Sequence, residues 1–266
     1  MRLATWNINS VRLRLDLLLR LIAEQQPDVI CLQEIKCLDD LFPKAALAAA
    51  GYTHQHIHGM KSYNGVAILS RKPFAETGIQ HWCGKEDRRH IFVRFASGLE
   101  VHNYYVPAGG DIPDPEANEK FAHKLNFMDQ AAEWWRLERR NTNPKILVGD
   151  LNVAPLEHDV WSHKQMLDVV SHTPIEVEKL TTWQKAHNWV DAVRNFVPAD
   201  QKLYSWWSYR AADWVASNRG RRLDHIWVTP NLVTGLQRAE ILRTARGWEP
   251  KPSDHVPVLI DVNVLL

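Results

Sequence analysis

Cysteine is scarce in this 266-residue chain, and the three that occur, Cys31, Cys37 and Cys83, show no CxxC spacing. That scarcity argues against a disulfide framework and a zinc-thiolate site, and it is typical of proteins kept in a reducing cytoplasm. A surplus of charge is also missing, because 32 basic residues face 31 acidic ones and the net charge is +1. A nucleic-acid partner would therefore have to bind a local basic patch.

Long apolar runs are absent as well, so we expect no membrane-spanning segment. The first residues, MRLATWNINSVRLRLD, predict a strand followed by a charged helix and not a secretory signal peptide. We therefore expect a cytoplasmic protein with no membrane partner. The chain also lacks HExxH and GxSxG, the motifs of zinc peptidases and of many serine hydrolases.

What the chain does contain is a succession of apolar segments that predict strands. Helices are predicted from apolar residues at three-four spacing, one starting near Val11, a short one at Lys44–Ala50 and one of about 20 residues that carries Phe121, Leu125, Met128, Ala132 and Trp135. The stretch between residues 152 and 203 is expected to be irregular. The predicted strands are 2–8, 28–34, 52–58, 65–70, 90–95, 99–106, 145–152, 203–209, 222–229, 238–243 and 256–262.

No linker, low-complexity tract or shift in composition divides the sequence, so we expect one domain over residues 1–266. Many strands with helices placed between them predict an α/β protein in which two packed sheets have helices outside. The 12 tryptophans have core packing as their default explanation.

Polar residues recur where the predicted strands end or begin. Each of them alone is more often a turn residue or a helix cap than a functional group. Together they point to chemistry, because carboxylate and amide oxygens are the ligands that Mg²⁺ and Mn²⁺ prefer. The set comprises Asn7, Asn9, Glu34, Asp150, Asn152, Asp224, Asp254 and His255.

The segment KPSDHVPV places Asp254 directly beside His255, just before a predicted strand. Adjacent side chains of an extended backbone point to opposite faces. We therefore expect the two residues to act on different things, and His255 to find its partner elsewhere in the chain.

Six motifs in order give the sequence a specific resemblance. They are WNIN, LQEIK, YVPAG, GDLNVAP, NRGRRLDH and KPSDH, spread over residues 6–255. In this set and order the chain resembles the exonuclease III family of DNA-repair nucleases, within the endonuclease/exonuclease/phosphatase superfamily. The resemblance implies a four-layer α/β sandwich of two mixed sheets flanked by helices, with the active site at one edge of the sheets.

The resemblance also implies roles for individual residues. Glu34, Asp254 and Asn7 would form the metal site, and Asp150 would activate the attacking water with Asn152 as its helper. Tyr105 would face the scissile phosphate, while His255 would bind a phosphate oxygen and be oriented by Asp224. Asp224 is then the partner of His255. Where many relatives carry an amide that touches the phosphate, this chain has Ala108.

Other residues are candidates for contact with DNA. The basic ones lie near the site motifs, and the aromatic ones lie in the segment that walls a pocket for a base-less sugar in relatives. Trp206 and Trp207 are neighbours in a predicted strand, so they cannot both face that pocket. The candidates are Lys36, Arg88, Arg89, Arg219, Arg221, Arg222, Trp206 and Trp214.

The function that the resemblance implies is Mg²⁺-dependent hydrolysis of duplex DNA 5′ of abasic sites, with Mn²⁺ as a substitute ion. Trimming of blocked 3′ ends and 3′-to-5′ exonuclease action are further expectations, and we expect a monomer. Two alternatives are another metal-dependent phosphoesterase of the superfamily and a non-catalytic DNA-binding relative. The first would show an apolar insertion or paired cysteines, and the second would have lost metal or base residues; neither feature is present.

Overall fold

The computed structural model of the protein describes residues 1–211 and 213–266. The strands, numbered along the chain, are β1 (Arg2–Asn7), β2 (Val29–Gln33), β3 (His54–His58), β4 (Val66–Ser70), β5 (Glu76–Ile79), β6 (His90–Arg94), β7 (Glu100–Tyr105), β8 (Lys145–Asp150), β9 (Val190–Asp191), β10 (Trp206–Trp207), β11 (Gly220–Arg221), β12 (Asp224–Val228), β13 (Leu236–Ile241) and β14 (Val258–Val262). The helices are α1 (Leu15–Gln25), α2 (Lys44–Ala49), α3 (Glu119–Leu137), α4 (His163–Met166), α5 (Pro174–Ala186) and α6 (Trp214–Ser217). Short 3-10 helices lie at Glu138–Arg140, Glu157–Asp159, Pro230–Gly235 and Arg243–Gly247.

Two six-stranded sheets are built on the same plan, in the orders β13-β14-β1-β2-β4-β3 and β5-β6-β7-β8-β12-β9. Each sheet has a parallel pair at its centre, β1 with β2 in one and β7 with β8 in the other. The strands beside these pairs are antiparallel to them. Parallel strands end at the same edge of a sheet, and an antiparallel neighbour begins there. This plan brings the ends of β1, β2, β7 and β8 to one rim together with the starts of β12 and β14.

The two sheets pack face to face through apolar side chains. Alternate residues of the central strands point inward, as the period of a strand requires. The opposite faces carry the helices: α1 covers the first sheet, and α3 and α5 cover the second. The interior layer includes Val29, Ile68, Val93, Val148, Ile226 and Ile260. The expected four-layer α/β sandwich is confirmed.

The long helix α3 agrees with its predicted apolar stripe. Asn118 caps its first turn by accepting a hydrogen bond from the Lys120 amide at 3.0 Å. The stripe residues Phe121, Leu125, Met128, Ala132 and Trp135 are all buried. In the described part of the chain, no helix is both long and apolar enough to cross a membrane.

Two predictions about secondary structure are wrong, and one strand was not predicted. The stretch expected to be irregular contains α5, which begins with a capping box between Thr173 and Glu176. The strand expected at 203–209 is reduced to β10, because only this part finds a pairing partner, β11. The edge strand β5 was not expected, since its residues are mostly exposed and carry little apolar periodicity.

Candidate active site

Polar side chains from both sheets meet at the shared rim. Asn7 ends β1, and its side-chain amide donates to Oε1 of Glu34 and to Oδ2 of Asp150, each at 2.9 Å. Glu34 follows β2 and has a φ of 50°, an uncommon left-handed conformation for a residue other than glycine. Such strained backbone is often found at functional sites. Asn7 therefore links the acidic groups of the two sheets.

The Glu34 carboxylate is held by donors on three sides. Besides Asn7, the Tyr105 hydroxyl donates to its Oε1 at 2.8 Å. The ammonium of Lys36 pairs with its Oε2 at 2.7 Å and also donates to Oδ1 of Asn9 at 2.7 Å. Burial would raise the pKa of Glu34, but the Lys36 charge and these hydrogen bonds together lower it. Glu34 is therefore a carboxylate, not a carboxylic acid, at neutral pH.

Asp150 lies at the end of β8, next to Tyr105 at the end of the parallel strand β7. The two strands approach closely because the preceding residue is Gly149, where an added Cβ would lie 1.9 Å from the Tyr104 carbonyl oxygen. Asn152 donates to Asp150 through both its backbone and its side-chain nitrogen, at 3.0 and 3.2 Å. The glycine of the GDLN motif thus brings Tyr105 and Asp150 together.

His255 is paired with Asp224 across the rim. Its Nδ1 lies 2.8 Å from Oδ2 of Asp224, and its Nε2 lies 3.6 Å from Oδ2 of Asp150. The hydroxyl of Ser205 donates to the same Asp224 oxygen at 2.6 Å and accepts hydrogen bonds from the amides of Leu223 and Asp224. The imidazole therefore stands between two carboxylates. The expected pairing of His255 with Asp224 is confirmed.

The neighbour of His255 points elsewhere, as expected. Asp254 accepts hydrogen bonds from the Asn9 amide at 3.2 Å and from the Trp206 indole at 3.0 Å. The Asp254 side chain is half-buried, whereas Asp150, Asp224 and His255 are buried. The adjacent acid and imidazole of KPSDHVPV thus belong to two different groups of residues.

Burial and neighbouring charges set the protonation states of Asp150 and His255. Burial, with the nearby Asp224 and Glu34 carboxylates, raises the pKa of Asp150 to about 7, although His255 and Asn7 oppose the shift. Burial would lower the pKa of His255, but the Asp224 and Asp150 carboxylates outweigh it and raise that pKa to about 10. The imidazole is therefore charged at neutral pH. A carboxyl group with a pKa near neutrality is suited to exchange protons with a reacting water.

Two groups of residues could hold a metal ion. The ligand atoms of Asp150, Asp224 and His255 all lie within 4.8 Å of one another. His255 is an imidazolium that already bonds to Asp224 and faces Asp150, so it offers no free nitrogen lone pair to a cation. Glu34 and Asp254 line the open cleft beside them and offer carboxylate oxygens to it. The second group is the better fit for a hydrated cation such as Mg²⁺.

The rim opens into a cleft of about 670 Å³. Its walls carry the predicted DNA candidates Trp206, Arg219 and Arg221. Arg219 stacks on the ring of Trp161, at 4.6 Å from the ring centroid, and Arg221 stacks on Trp206 at 5.0 Å. The cleft is therefore acidic at its base and has two guanidinium groups on indole rings in its wall.

Two candidates for DNA contact lie elsewhere. Arg222 is buried and pairs with Asp159 at 2.8 Å and with Asp191 at 2.7 Å, so its side chain does not reach the surface. The expected phosphate contact of Arg222 is therefore wrong. Trp214 lines a separate depression with Tyr209 and packs against the buried Trp207, so the expected place in the pocket wall is also wrong.

The remaining basic candidates have protein partners near the site. Lys36 neutralises Glu34, and it therefore acts within the site more than on DNA. Arg88 bonds to Nδ1 of His58 at 2.8 Å. Arg89 pairs with Asp87, and its guanidinium lies 4.9 Å from the centroid of the Tyr105 ring. Arg89 thus packs against the ring of Tyr105.

Sequence reasoning missed two residues that shape the site. Ser205 holds Asp224, but a serine before an aromatic pair carries no sequence signal for such a contact. Trp161 lies in the stretch expected to be irregular, where no periodicity marks it. It lines the cleft beneath Arg219. Asn9, one of the polar strand-end residues, proves to connect Asp254 and Lys36.

Comparison with known proteins agrees with this geometry. The model of the endonuclease/exonuclease/phosphatase family matches residues 4–255. Exodeoxyribonuclease III of Haemophilus influenzae is 31% identical, with 97% of this chain and 98% of that protein covered. The exodeoxyribonuclease of Bacillus subtilis is 30% identical, with 99% and 100% covered.

Solved structures agree as well. The 3′ phosphatase NExo from Neisseria, solved with a product DNA hairpin, has a TM-score of 0.91 and 30% identity, with 99% of this chain and 100% of that chain covered. An AP endonuclease from Archaeoglobus fulgidus has a TM-score of 0.89 and 29% identity, with the same coverage. The resemblance noted in the sequence is confirmed. The chain belongs to the endonuclease/exonuclease/phosphatase family and, within it, to the exodeoxyribonuclease III proteins.

Proposed function

We propose that this protein is a Mg²⁺-dependent DNA-repair phosphodiesterase that cuts duplex DNA 5′ of abasic sites and leaves a 3′-hydroxyl. It also removes blocking groups from 3′ ends and degrades DNA from the 3′ end. The observation that carries the proposal is the alignment of Asp224, His255 and Asp150, with contacts of 2.8 and 3.6 Å, beside the Glu34 carboxylate. The names of the relatives, which include exodeoxyribonucleases, an AP endonuclease and a 3′ phosphatase, support the same activities.

Asp150 is the group proposed to take the proton of the attacking water. Its carboxyl group has a pKa raised to about 7 by burial, which matches the proton affinity of a general base near neutral pH. Three hydrogen bonds, from Asn7 and from both nitrogens of Asn152, fix the direction in which the carboxylate points. A base fixed in this way loses little entropy when the reaction begins.

His255 and Tyr105 are proposed to stabilise negative charge on the phosphoryl oxygens. His255 is an imidazolium because Asp224 and Asp150 hold its proton, and a charged donor binds an oxyanion about twice as strongly as a neutral one. Tyr105 keeps its proton, because burial and the neighbouring Glu34 and Asp150 raise the pKa of the phenol. His255 therefore has its Nε2 hydrogen for a phosphate in the cleft, and Tyr105 would donate its hydroxyl hydrogen to the phosphate in place of its bond to Glu34.

Glu34, Asp254 and Asn7 are proposed to hold the Mg²⁺ ion. When bound, Mg²⁺ polarises a phosphoryl oxygen and neutralises charge on the leaving 3′ oxygen. Lys36 forms an ion pair with Glu34, and Asn9 connects Lys36 to Asp254. Glu34 and Asp254, which both line the cleft, are therefore linked through Lys36 and Asn9.

The test is an incubation of a duplex with one abasic site, in Mg²⁺ and in EDTA. Cleavage 5′ of the site in Mg²⁺ and intact DNA in EDTA are the expected results. The matched control is Asp150→Asn, which keeps the size of the side chain and should reduce turnover by about 10²–10⁴, the usual worth of general-base catalysis. Binding of the same duplex by this variant in EDTA checks that it is folded.

Each alternative predicts a different outcome of the same incubation. A phosphoesterase for other substrates would leave the abasic duplex intact while hydrolysing a small phosphate ester in Mg²⁺. A non-catalytic DNA-binding protein would retain the duplex without cutting it, and Asp150→Asn would change nothing. Either result would contradict the proposal.

A further inference from the structure

Arg221 has an unusual place in the wall of the cleft. It faces Trp206 across the short pairing of β10 with β11, and its guanidinium lies on the indole ring. Nη1 donates to the Val170 carbonyl at 3.1 Å and to the Ser171 hydroxyl at 2.9 Å. Nε is buried without a hydrogen-bond acceptor. The group is thus held firmly in position while part of its donor capacity is unused.

The charge of Arg221 has no acidic partner in the part of the chain that the structure describes. Among the residues that the structure describes, no carboxylate comes within ion-pair distance of its guanidinium. Burial lowers the pKa of Arg221, and the opposing charge is that of Glu176, whose two oxygens are already taken by Lys124, Ser171 and Thr173. A largely buried charge without a partner is unfavourable, and proteins usually pair it.

The next residue, Arg222, is an arginine whose charge is fully paired inside the protein. Arg222 is buried and bound by two carboxylates, Asp159 and Asp191. Arg221 lies beside it in the chain, lines the cleft that holds Asp150 and His255, and has no such partner in the described ranges 1–211 and 213–266. The difference suggests that the partner of Arg221 is an anion that enters the cleft.

We propose that Arg221 is a specificity-determining residue, which favours a 3′-terminal phosphate over a phosphate that continues into a base-less sugar. This inference rests on the proposed function, since it takes the cleft to be the place where the scissile phosphate binds. In both substrates the bond that breaks joins phosphorus to the 3′ oxygen. They differ only on the far side of the phosphate, where one has an anionic oxygen and the other a neutral sugar.

The charge of the phosphate differs between the two substrates, and Arg221 would respond to that difference. A terminal phosphate carries about −1.5 to −2 charges at neutral pH, against about −1 for a phosphodiester. An unpaired guanidinium gains more from the first, and a charged group is a poor neighbour for a sugar without a base. Ala108, which also lines the cleft, has no side-chain donor, so a side-chain contact to the phosphate must come from another residue.

The experiment compares two duplexes of one sequence, one with a recessed 3′-phosphate and one with an internal abasic site. The ratio of their kcat/KM values is measured for the wild type, for Arg221→Met and for Arg221→Gln. Methionine keeps apolar contact with Trp206, and glutamine keeps a donor for Val170, but neither has a charge. Each variant should lower the preference for the 3′-phosphate by about tenfold to a hundredfold, as expected for one charge-assisted contact.

Two further variants sharpen the result. Arg221→Lys keeps the charge and should retain most of the preference, while Arg219→Met, at the exposed arginine on Trp161, should affect both substrates alike. An unchanged ratio in Arg221→Met and Arg221→Gln, or an equal shift in Arg219→Met, would overturn the inference. A wild type that hydrolyses neither duplex would instead contradict the proposed function itself.

Discussion

Nδ1 of His255 lies 2.8 Å from Oδ2 of Asp224, although 31 positions separate the two residues in the chain. The contact exists because β12 begins, and β14 is about to begin, at the same rim of the two sheets. Asp254, the neighbour of His255, contacts Asn9 and Trp206 instead. His255 and Asp254 therefore have different partners, and substitutions at the two positions should have different effects.

Asp224 and His255 should behave as one unit. Asp224→Ala and His255→Ala should each slow cleavage of abasic DNA by about 10²–10⁴, and the double variant should be little worse than the slower single one. Residues that act through each other show such non-additivity in a double-mutant cycle. Single-turnover rates of the four proteins in saturating Mg²⁺ measure it. Additive losses would mean that Asp224 does not act through His255.

Stability should depend on pH through the same pair. Because the folded state raises the pKa of His255 to about 10, the imidazolium stabilises the fold fully below its unfolded pKa of about 6.5. That stabilisation is lost as the pH rises through about 10. The free energy of unfolding of the wild type should therefore exceed that of Asp224→Asn most clearly at about pH 6 and least above about pH 10. Chemical denaturation in EDTA gives both curves, and a constant difference would argue against a charged His255.

Asp254 should be distinguished by its dependence on metal. Asp254→Ala should raise the concentration of Mg²⁺ needed for half-maximal cleavage, and part of its lost activity should return at high Mg²⁺. Asp224→Ala is the matched control, since its defect should not respond to the ion. A titration with Mg²⁺ separates them. If both variants recovered to the same degree, the two acids would have to share the metal.

The two neighbouring arginines should give opposite phenotypes. Arg221→Ala should reduce the slope of log affinity against log salt concentration by about 1, as loss of one phosphate contact does. Arg222→Ala should leave that slope unchanged and should lower the free energy of unfolding by about 3–5 kcal/mol, because Asp191 would lose its charged partner and the buried Asp159 would keep only Arg194. DNA-binding titrations at several salt concentrations and denaturation curves check both. A changed slope in Arg222→Ala would mean that it reaches DNA after all.

The parts of the site that could be predicted from the sequence are those that depend on strand ends. Asn7, Glu34, Asp150 and Asp224 stand next to apolar strands, and the topology brings the ends of those strands together. The Asp224–His255 contact came from the family resemblance, because periodicity shows only that Asp254 and His255 point apart. The local sequence pattern thus predicted which residues form the site, and the family resemblance predicted that Asp224 pairs with His255.

The incorrect predictions from the sequence also have physical causes. Helix α5 was missed although Thr173 and Glu176 form a capping box and Pro174 opens its first turn, because its apolar stripe is weak. Arg222 was expected at the surface because its carboxylate partners, Asp159 and Asp191, lie 63 and 31 positions away. Trp214 was placed in the pocket from its sequence neighbourhood, whereas α6 turns it toward Trp207. Contacts at such a distance along the chain leave no local pattern.

The central claim is that a water molecule attacks phosphorus and that the bond to the 3′ oxygen breaks. Cleavage of an abasic duplex in water enriched in ¹⁸O, with Mg²⁺ present, tests it most directly. The account predicts one ¹⁸O atom in the phosphate that remains on the abasic fragment, an unlabelled 3′-hydroxyl on the other fragment, and no cleavage by Asp150→Asn within the same time. An unlabelled phosphate, or a 3′ end that carries an unsaturated sugar, would contradict the account.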